Sequence, residues 1–408
     1  MSEEKRDIHN FDRKLASIEK TIRNDKNILD SNRNHIKKFL EYCHADEQKL
    51  STIHKDMYSI WFIAKNIKKD FKECTKEDII KVLGIIQKQK WSDKTKRNHK
   101  VAIKKLWRII YDIDEKGIYP EAVRWLKTSR KNADKKLPEE IITESDIVKL
   151  LESCGSVRDR LFISLLYETG ARIGEILNIK IKHVVFDQEK KTYYLMLNGK
   201  TGMRRIPIIS SVPLLTQQLN SHPMSTESSL FLMRRSSGGN STIPPLTYSA
   251  ARKLLFDIRK KTDIKKPVNP HAFRHAAATR AARLGMSEQQ MKMYFGWTGG
   301  SDMPAIYCHL SCRDLDGAVK KMFGIKDDEE ITSQLGPRTC KRCQDINEPT
   351  SKFCKMCGSP LDLKIALELE QKVEKSRMVE DQFDDDVRSQ MKELKNKFDK
   401  FLKGQGKS

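Results

Sequence analysis

What the sequence lacks already narrows its class. No run of about eighteen apolar residues occurs, so no ordinary membrane-spanning helix is expected. Neither a secretion signal nor a lipidation motif is present, and the expectation is a cytoplasmic protein with no membrane partner. Internal repeats are absent. A disulfide framework is not expected either, because nine cysteines spread over 408 residues without a secretion signal read as thiols or metal ligands. Acidic side chains are in deficit: 55 Asp and Glu face 78 Lys and Arg, leaving a net charge of +23. That surplus favours a polyanionic partner, nucleic acid first, with binding that weakens as salt rises. A nucleotide-binding loop is missing too. Gly199-Lys200-Thr201 looks like the end of one, but that motif needs glycine at 194, where this chain has Tyr194, and the segment lies between strands.

What is present is mostly helix-forming. Residues 1 to about 130 read as helical, with Ile36, Phe39, Leu40 and Cys43 at helical spacing and Ile79, Leu83 and Ile86 following Thr75. From Asp93 a helix buries Ile103, Leu106, Trp107 and Ile110, while Lys96, Lys100 and Lys104 recur on another face, joined by Arg97, Lys105 and Arg108. Like charges at that spacing repel, and a phosphate backbone would offset the cost. Polar, basic residues from Lys127 to Glu140 suit a linker and place a boundary near 137. Thr143 then starts a new helix, Gly170 suits a left-handed helix end, and Ile181–Phe186, Thr192–Leu197 and Met203–Ile208 read as three strands. Helices follow over 247–261 and 271–284, with Ser287 capping another whose Met291, Met293, Tyr294 and Phe295 suit a core. The fold class is therefore mainly α with a small antiparallel β-sheet (α+β).

Beyond residue 330 the composition changes. Cys43, Cys74, Cys154, Cys308 and Cys312 are scattered, whereas Cys340-x-x-Cys343 and Cys354-x-x-Cys357 are separated by ten residues. Each pair can bite one face of a tetrahedral ion, and four thiolates usually hold Zn²⁺. Gly358 suits the turn after the second pair, Phe353 offers a scrap of core, and so short a segment needs the metal to fold. Residues 336–360 thus read as a zinc ribbon. The charged stretch 361–408 carries Leu369, Val373, Phe383, Val387, Leu394, Phe398 and Phe401 as an irregular apolar stripe, broken by the acidic run Glu380–Asp386. It reads equally well as a coiled coil or as a single exposed helix.

The chemistry concentrates in three segments. His271-Ala272-Phe273-Arg274-His275 puts two imidazoles and a guanidinium within about one helical turn. Downstream, Asp302 and Pro304 begin a short helix carrying Tyr307, followed by Cys308 and His309. An arginine fork binds phosphate oxygens, and a phenol can attack phosphorus. Arg172 and Lys200 stand in separate motifs of compatible type. Taken one at a time these are a surface arginine, a turn lysine, a capping histidine and a core tyrosine.

Together they resemble the tyrosine recombinase (phage integrase) family over roughly residues 30–325. Thr169-Gly170-Ala171-Arg172-Ile173-Gly174-Glu175 is similar to the family's first arginine motif. Gly199-Lys200-Thr201-Gly202-Met203-Arg204-Arg205-Ile206-Pro207 is similar to its hairpin lysine motif, and His271 through Thr279 to its second arginine box. Phe295-Gly296-Trp297 stands where many members have Leu-Gly-His, and Tyr307 at the nucleophile. The resemblance implies residues 1–136 as a DNA-binding (core-binding) domain and 137–330 as the catalytic domain, together a clamp on the duplex. It further implies a nucleoid-associated enzyme acting as a tetramer on double-stranded DNA at a specific recombination site. In that scheme Tyr307 makes a 3′-phosphotyrosine, Arg172 and Arg274 hold the phosphate, Lys200 is the acid, and His271 is donor and base. Glu175 and His275 resemble accessory positions. No cofactor is implied for catalysis, and Zn²⁺ is structural only. This chain departs from the pattern in Trp297, which has a donor N–H but cannot shuttle a proton, and in one extra residue at Met303-Pro304 before Tyr307. Two rival readings are a type IB topoisomerase-like enzyme that relaxes DNA and a catalytically inactive zinc-ribbon DNA-binding regulator.

Overall fold

The computed structural model describes residues 6–114, 117–128, 141–190, 192–199, 201–222, 225–233, 243–308, 323 and 333–405. It separates into two compact units, Met1–Lys135 and Lys136–Ser408. The expected boundary near 137 and Lys200, expected to be the acid, lie outside the described residues, as does His309.

The first unit is a bundle of α1 (Phe11–Asn24), α2 (Asp30–Ala45), α3 (Leu50–Asn66), α4 (Lys76–Lys88), α5 (Asp93–Ile110) and α6 (Glu121–Arg124). Its core is built on Phe39, Phe71 and Trp107, all fully buried. The helical spacing read from the sequence is the spacing that buries these faces: Ile103, Leu106, Trp107 and Ile110 all point inward from α5. The basic face of α5 divides. Lys105 turns into the bundle and donates to Asp56 at 2.6 Å and to Gln48 at 2.5 Å, so its charge is consumed within the unit. Lys96 donates to the Gln87 carbonyl at 3.0 Å, and Lys104 lies 4.9 Å from the centre of the Tyr119 ring.

The second unit is organised around α8 (Val157–Thr169), where every residue from Leu161 to Thr169 is buried. A helix apolar on all sides is a central one. Around it stand α7 (Glu144–Glu152), α9 (Ile173–Leu177), α10 (Val212–Asn220), α11 (Tyr248–Lys260), α12 (Pro270–Arg283), α13 (Glu288–Phe295) and α14 (Met303–Cys308). The starts are chemically specified. Thr143 and Asp146 cap each other at α7, and Ser287 accepts from the Gln290 amide at α13.

Strands β1 (Val184–Asp187), β2 (Thr192–Gly199) and β3 (Gly202–Ile208) form an antiparallel meander, with Leu195 opposite Ile206. Leu195, Leu197, Ile206 and Ile208 face the core, and Arg204 shares that inward face. The first strand is shorter than expected. Ile181–His183 makes a 3₁₀ turn instead, because His183 Nδ1 accepts from the Lys180 amide at 3.2 Å and folds the chain back.

The cysteine segment forms a two-stranded knuckle of β4 (Arg338–Thr339) and β5 (Ile346–Asn347). It leans on α8 through Arg160 and Glu348, 3.0 Å apart, and the Ser210 hydroxyl donates to the Leu335 carbonyl. Phe353 is not the core expected of it: it is 45% exposed, while Leu335 and Asn347 are buried. Met293 also departs from expectation, pointing outward at 69% exposure on the face of α13 opposite the buried Met291 and Phe295. The chain ends in α15 (Leu363–Gln405), one continuous helix of 43 residues that runs through the acidic stretch without a break.

Candidate active site

The site is assembled where α13 ends. Gly296 closes α13 in the left-handed region, at φ 60°, and the last carbonyls of the helix have no intrahelical partner. Three consecutive carbonyls are met by three arginines from different elements. The Tyr294 carbonyl accepts from Arg204 Nε at 3.0 Å, Phe295 from Arg274 Nη2 at 2.7 Å and Gly296 from Arg172 Nη1 at 3.3 Å. The negative end of the helix dipole thus draws the guanidiniums together.

Among the described residues, Glu175 is the carboxylate paired with this cluster. It takes Arg204 Nη2 at 2.7 Å on one oxygen and Arg172 Nη1 at 3.1 Å on the other, and it receives the Arg172 amide at 3.0 Å. Burial pushes its carboxyl upward, but the hydrogen bond and charge of Arg204, then the amide and charge of Arg172, leave it below the usual range. One carboxylate and one helix end do not neutralise three guanidiniums, so the site keeps a positive surplus. Arg274 registers it: burial first, then the charge of Arg172, brings its guanidinium down to about 10.

Arg274 is fixed from both sides, since its Nη1 also donates to the Gly170 carbonyl at 2.9 Å. Gly170 has φ 55°, and a methyl group there would sit 2.6 Å from the Phe295 ring and 2.8 Å from Ala277. Only glycine lets α8, α12 and α13 approach this closely. Glu168, one turn-end earlier, accepts the backbone amides of Ile209, Ser210 and Ser211 and pins the end of β3 to α8.

Tyr307 joins the cluster within its own chain, α14 packing on α12 and α13. The ring lies flat against Trp297, with centroids 5.8 Å apart and planes 7° from parallel. The Arg274 guanidinium lies 5.3 Å from the Trp297 ring on its own account. Burial raises the Tyr307 phenol to about 12, with Arg274 pulling the other way. Its hydroxyl hydrogen-bonds His275 Nδ1 at 2.7 Å. His271 sits one turn earlier, exposed in the first turn of α12, where Asn269 caps the helix by accepting the amides of His271 and Ala272.

The structure therefore brings Arg172, Arg274, Trp297 and Tyr307 together, with Glu175 and His275 touching them directly. Arg204 was not singled out in the sequence; its signal was a charged residue on the buried face of an alternating strand. A separate cavity of about 740 Å³ lies between α8, α12 and residues 333–337, and its lining includes neither the two expected arginines nor Tyr307.

Residues 140–313 match the phage integrase family. That segment is a phage integrase domain. The chain is 28% identical over 289 residues to tyrosine recombinase XerA of Pyrococcus furiosus, an alignment covering 70% of this chain and 93% of the relative. With XerD of Staphylococcus aureus it shares 26% over 202 residues, 47% of this chain and 63% of the other. Among solved structures it resembles XerH bound to a palindromic difH substrate, with a TM-score of 0.53 and 20% identity over 79% of this chain and 98% of that one. A lambda integrase tetramer bound to a Holliday junction aligns with a TM-score of 0.51 and 15% identity over 66% and 78% of the two chains. At such identities the structural likeness speaks for the fold of this chain.

In the knuckle, the four Sγ atoms of Cys340, Cys343, Cys354 and Cys357 lie within 4.8 Å of one another. The two Cys-x-x-Cys turns mirror each other. The Gln344 amide donates to the Cys340 carbonyl and the Gly358 amide to the Cys354 carbonyl, each at 2.9 Å, and both turns use a left-handed residue. Asn347 Nδ2 donates to Cys354 Sγ at 3.6 Å.

Proposed function

We propose that this protein is a site-specific DNA recombinase whose Tyr307 cuts one strand, forms a 3′-phosphotyrosine and frees a 5′-hydroxyl. A 5′-hydroxyl from the partner duplex then attacks that ester and rejoins the strands. The observation that carries the reading is the anchoring of Arg172 and Arg274 on consecutive carbonyls beside a tyrosine stacked on Trp297. A guanidinium donates in parallel to the non-bridging oxygens of a phosphate as negative charge grows on them. Held by the backbone before substrate arrives, the two need little reorganisation during the reaction. Trp297 keeps the phenol ring in plane, and Lys200 protonates the departing 5′-oxygen. His271, exposed at the positive end of α12, suits a neutral hydrogen-bond donor to the phosphate. The ester conserves the bond energy, so the strand exchange runs without a nucleotide or a catalytic metal.

The partner in this reading is double-stranded DNA carrying a specific recombination site, on which copies of the chain assemble as a tetramer. The cysteine knuckle holds a structural Zn²⁺. With Zn–S bonds of about 2.3 Å, tetrahedral thiolates stand roughly 3.8 Å apart, and Cys340–Cys357 and Cys343–Cys354 are separated by 3.6 and 3.5 Å. Asn347 is placed to steady Cys354 from outside the ligand set.

The test uses duplexes from the DNA flanking the protein's own gene, nicked close to the cleavage position so that the free fragment escapes. The full chain traps a denaturation-resistant adduct on the duplex that holds its site, and Tyr307→Phe traps none. An adduct persisting in Tyr307→Phe overturns the nucleophile, and supercoil relaxation without exchange between two cognate sites favours a topoisomerase instead.

A further inference from the structure

We propose that His275, not His271, takes the proton from Tyr307 when the phenol attacks phosphorus, and returns it when the strands are rejoined. The inference rests on the recombinase reading and assigns a further catalytic residue within it.

The geometry is direct. Tyr307 Oη and His275 Nδ1 are 2.7 Å apart, a short hydrogen bond, and their rings are 5.9 Å apart and inclined at 45°, so the nitrogen lies at the phenol edge rather than over its face. With the proton of a neutral imidazole on Nε2, Nδ1 is an acceptor and the phenol donates to it. The need for an acceptor is set by the surroundings of Tyr307. The side chain is buried at 3% exposure, and burial opposes the phenolate more than Arg274 assists it. An unassisted phenol in that setting is a poor nucleophile at neutral pH.

The two histidines differ in electrostatic position although they sit one helical turn apart on α12. His271 is the second residue of the helix, where the dipole opposes added positive charge. His275 is a turn deeper, where the effect of the helix end has fallen off. Among the described residues, Arg274 on α12 acts on the Tyr307 phenol, with Arg172, Arg204 and Glu175 behind it.

The step balances. The Tyr307 Oη–H proton passes to His275 Nδ1, Oη bonds to phosphorus, and the P–O5′ bond breaks with its electron pair on the 5′-oxygen, which is protonated by Lys200. In rejoining, the incoming 5′-hydroxyl gives its proton back to the now neutral Lys200 and attacks phosphorus. The P–Oη bond breaks and the phenolate recovers its proton from His275.

The experiment measures single-turnover adduct formation by the full chain on the nicked cognate duplex. General base removal typically costs 10²–10⁴-fold, so His275→Ala is expected to slow cleavage by about that factor. His275→Gln, whose amide oxygen holds the hydroxyl without accepting its proton, slows it similarly while DNA binding and thermal midpoint stay at wild-type values. Replacing Tyr307 by a trifluorotyrosine, a far more acidic phenol, shrinks the His275→Gln deficit to less than about tenfold because less help is needed. The same replacement leaves the His271→Ala deficit unchanged. A 5′-phosphorothiolate, whose leaving group needs no proton, rescues Lys200→Ala but neither His275 variant. Near wild-type cleavage by His275→Gln overturns the inference, as does a fluorotyrosine that narrows the His271→Ala deficit instead. Both outcomes leave the recombinase reading standing, whereas an adduct in Tyr307→Phe removes the reading itself.

Discussion

The arginine cluster and the cysteine knuckle are charge opposites built in opposite ways. In the cluster, three guanidiniums converge on one carboxylate and one helix end, each tethered by the chain's own carbonyls at 2.7–3.3 Å. The fold makes the cluster, and its positive surplus awaits an anion. In the knuckle, four thiols converge within 4.8 Å in a segment with almost no apolar core, Phe353 and Ile346 both being exposed. There the bound cation would make the fold. Preorganisation by the scaffold and preorganisation by the ligand thus coexist in one unit, joined by the Arg160–Glu348 ion pair and by hydrogen bonds from Ser210 to the Leu335 carbonyl and from the Gln334 amide to Glu144.

The contrast can be broken most severely at Arg274. Arg274→Ala is expected to slow adduct formation by about 10²–10³-fold, the usual loss for one preorganised donor, while protein-bound zinc stays at one equivalent. Next in size is metal removal. Chelation or Cys354→Ser should strip the zinc and unfold the knuckle, read by hydrogen exchange at Gln344 and Gly358 becoming unprotected. Protection along α8 should persist, and its loss would show that the two regions are one cooperative body after all. A smaller effect is expected at Arg204. Arg204→Ala leaves Glu175 short of its strongest partner and should cost on the order of 3 kcal/mol in stability, with cleavage falling about tenfold by that loosening. An unchanged thermal midpoint would remove Arg204 from the cage.

The mildest probe is pH. The Glu175 carboxyl is held below its usual 4.5. A depressed acid contributes stability that is full above the unfolded value and is lost as pH falls through the folded one. The thermal midpoint should therefore drop as pH falls below about 4.5, and Glu175→Gln should flatten that part of the curve. A curve of unchanged slope in Glu175→Gln would place the acid sensitivity elsewhere.

Much of this was legible in the sequence, for identifiable reasons. Caps such as Thr143 with Asp146 and Ser287 with Gln290 are local chemistry, readable within four residues. The convergence of Arg172, Arg274 and Tyr307 was legible because the motifs that carry them agreed. What escaped depends on contacts distant in sequence. Arg204 looked like one of many basic residues until β3 placed it on the inward face, 90 residues from the Tyr294 carbonyl it serves. Lys105 looked like part of a basic stripe until Asp56, 49 residues away, drew it inward. His275 held only an accessory place in the motif, and its contact with Tyr307 appears only once α14 docks.

Gly170 gives the site a further property. It contributes no charge, proton or nucleophile, yet its missing side chain sets the gap between the helices that bear Arg274 and the turn that bears Arg172. A map of mutational sensitivity across this protein would therefore not coincide with a map of its chemistry. Substituting a reactive residue deletes one function from an intact frame, whereas adding a single methyl at Gly170 shifts the frame beneath several reactive residues at once. The position least able to vary is the one with nothing to react.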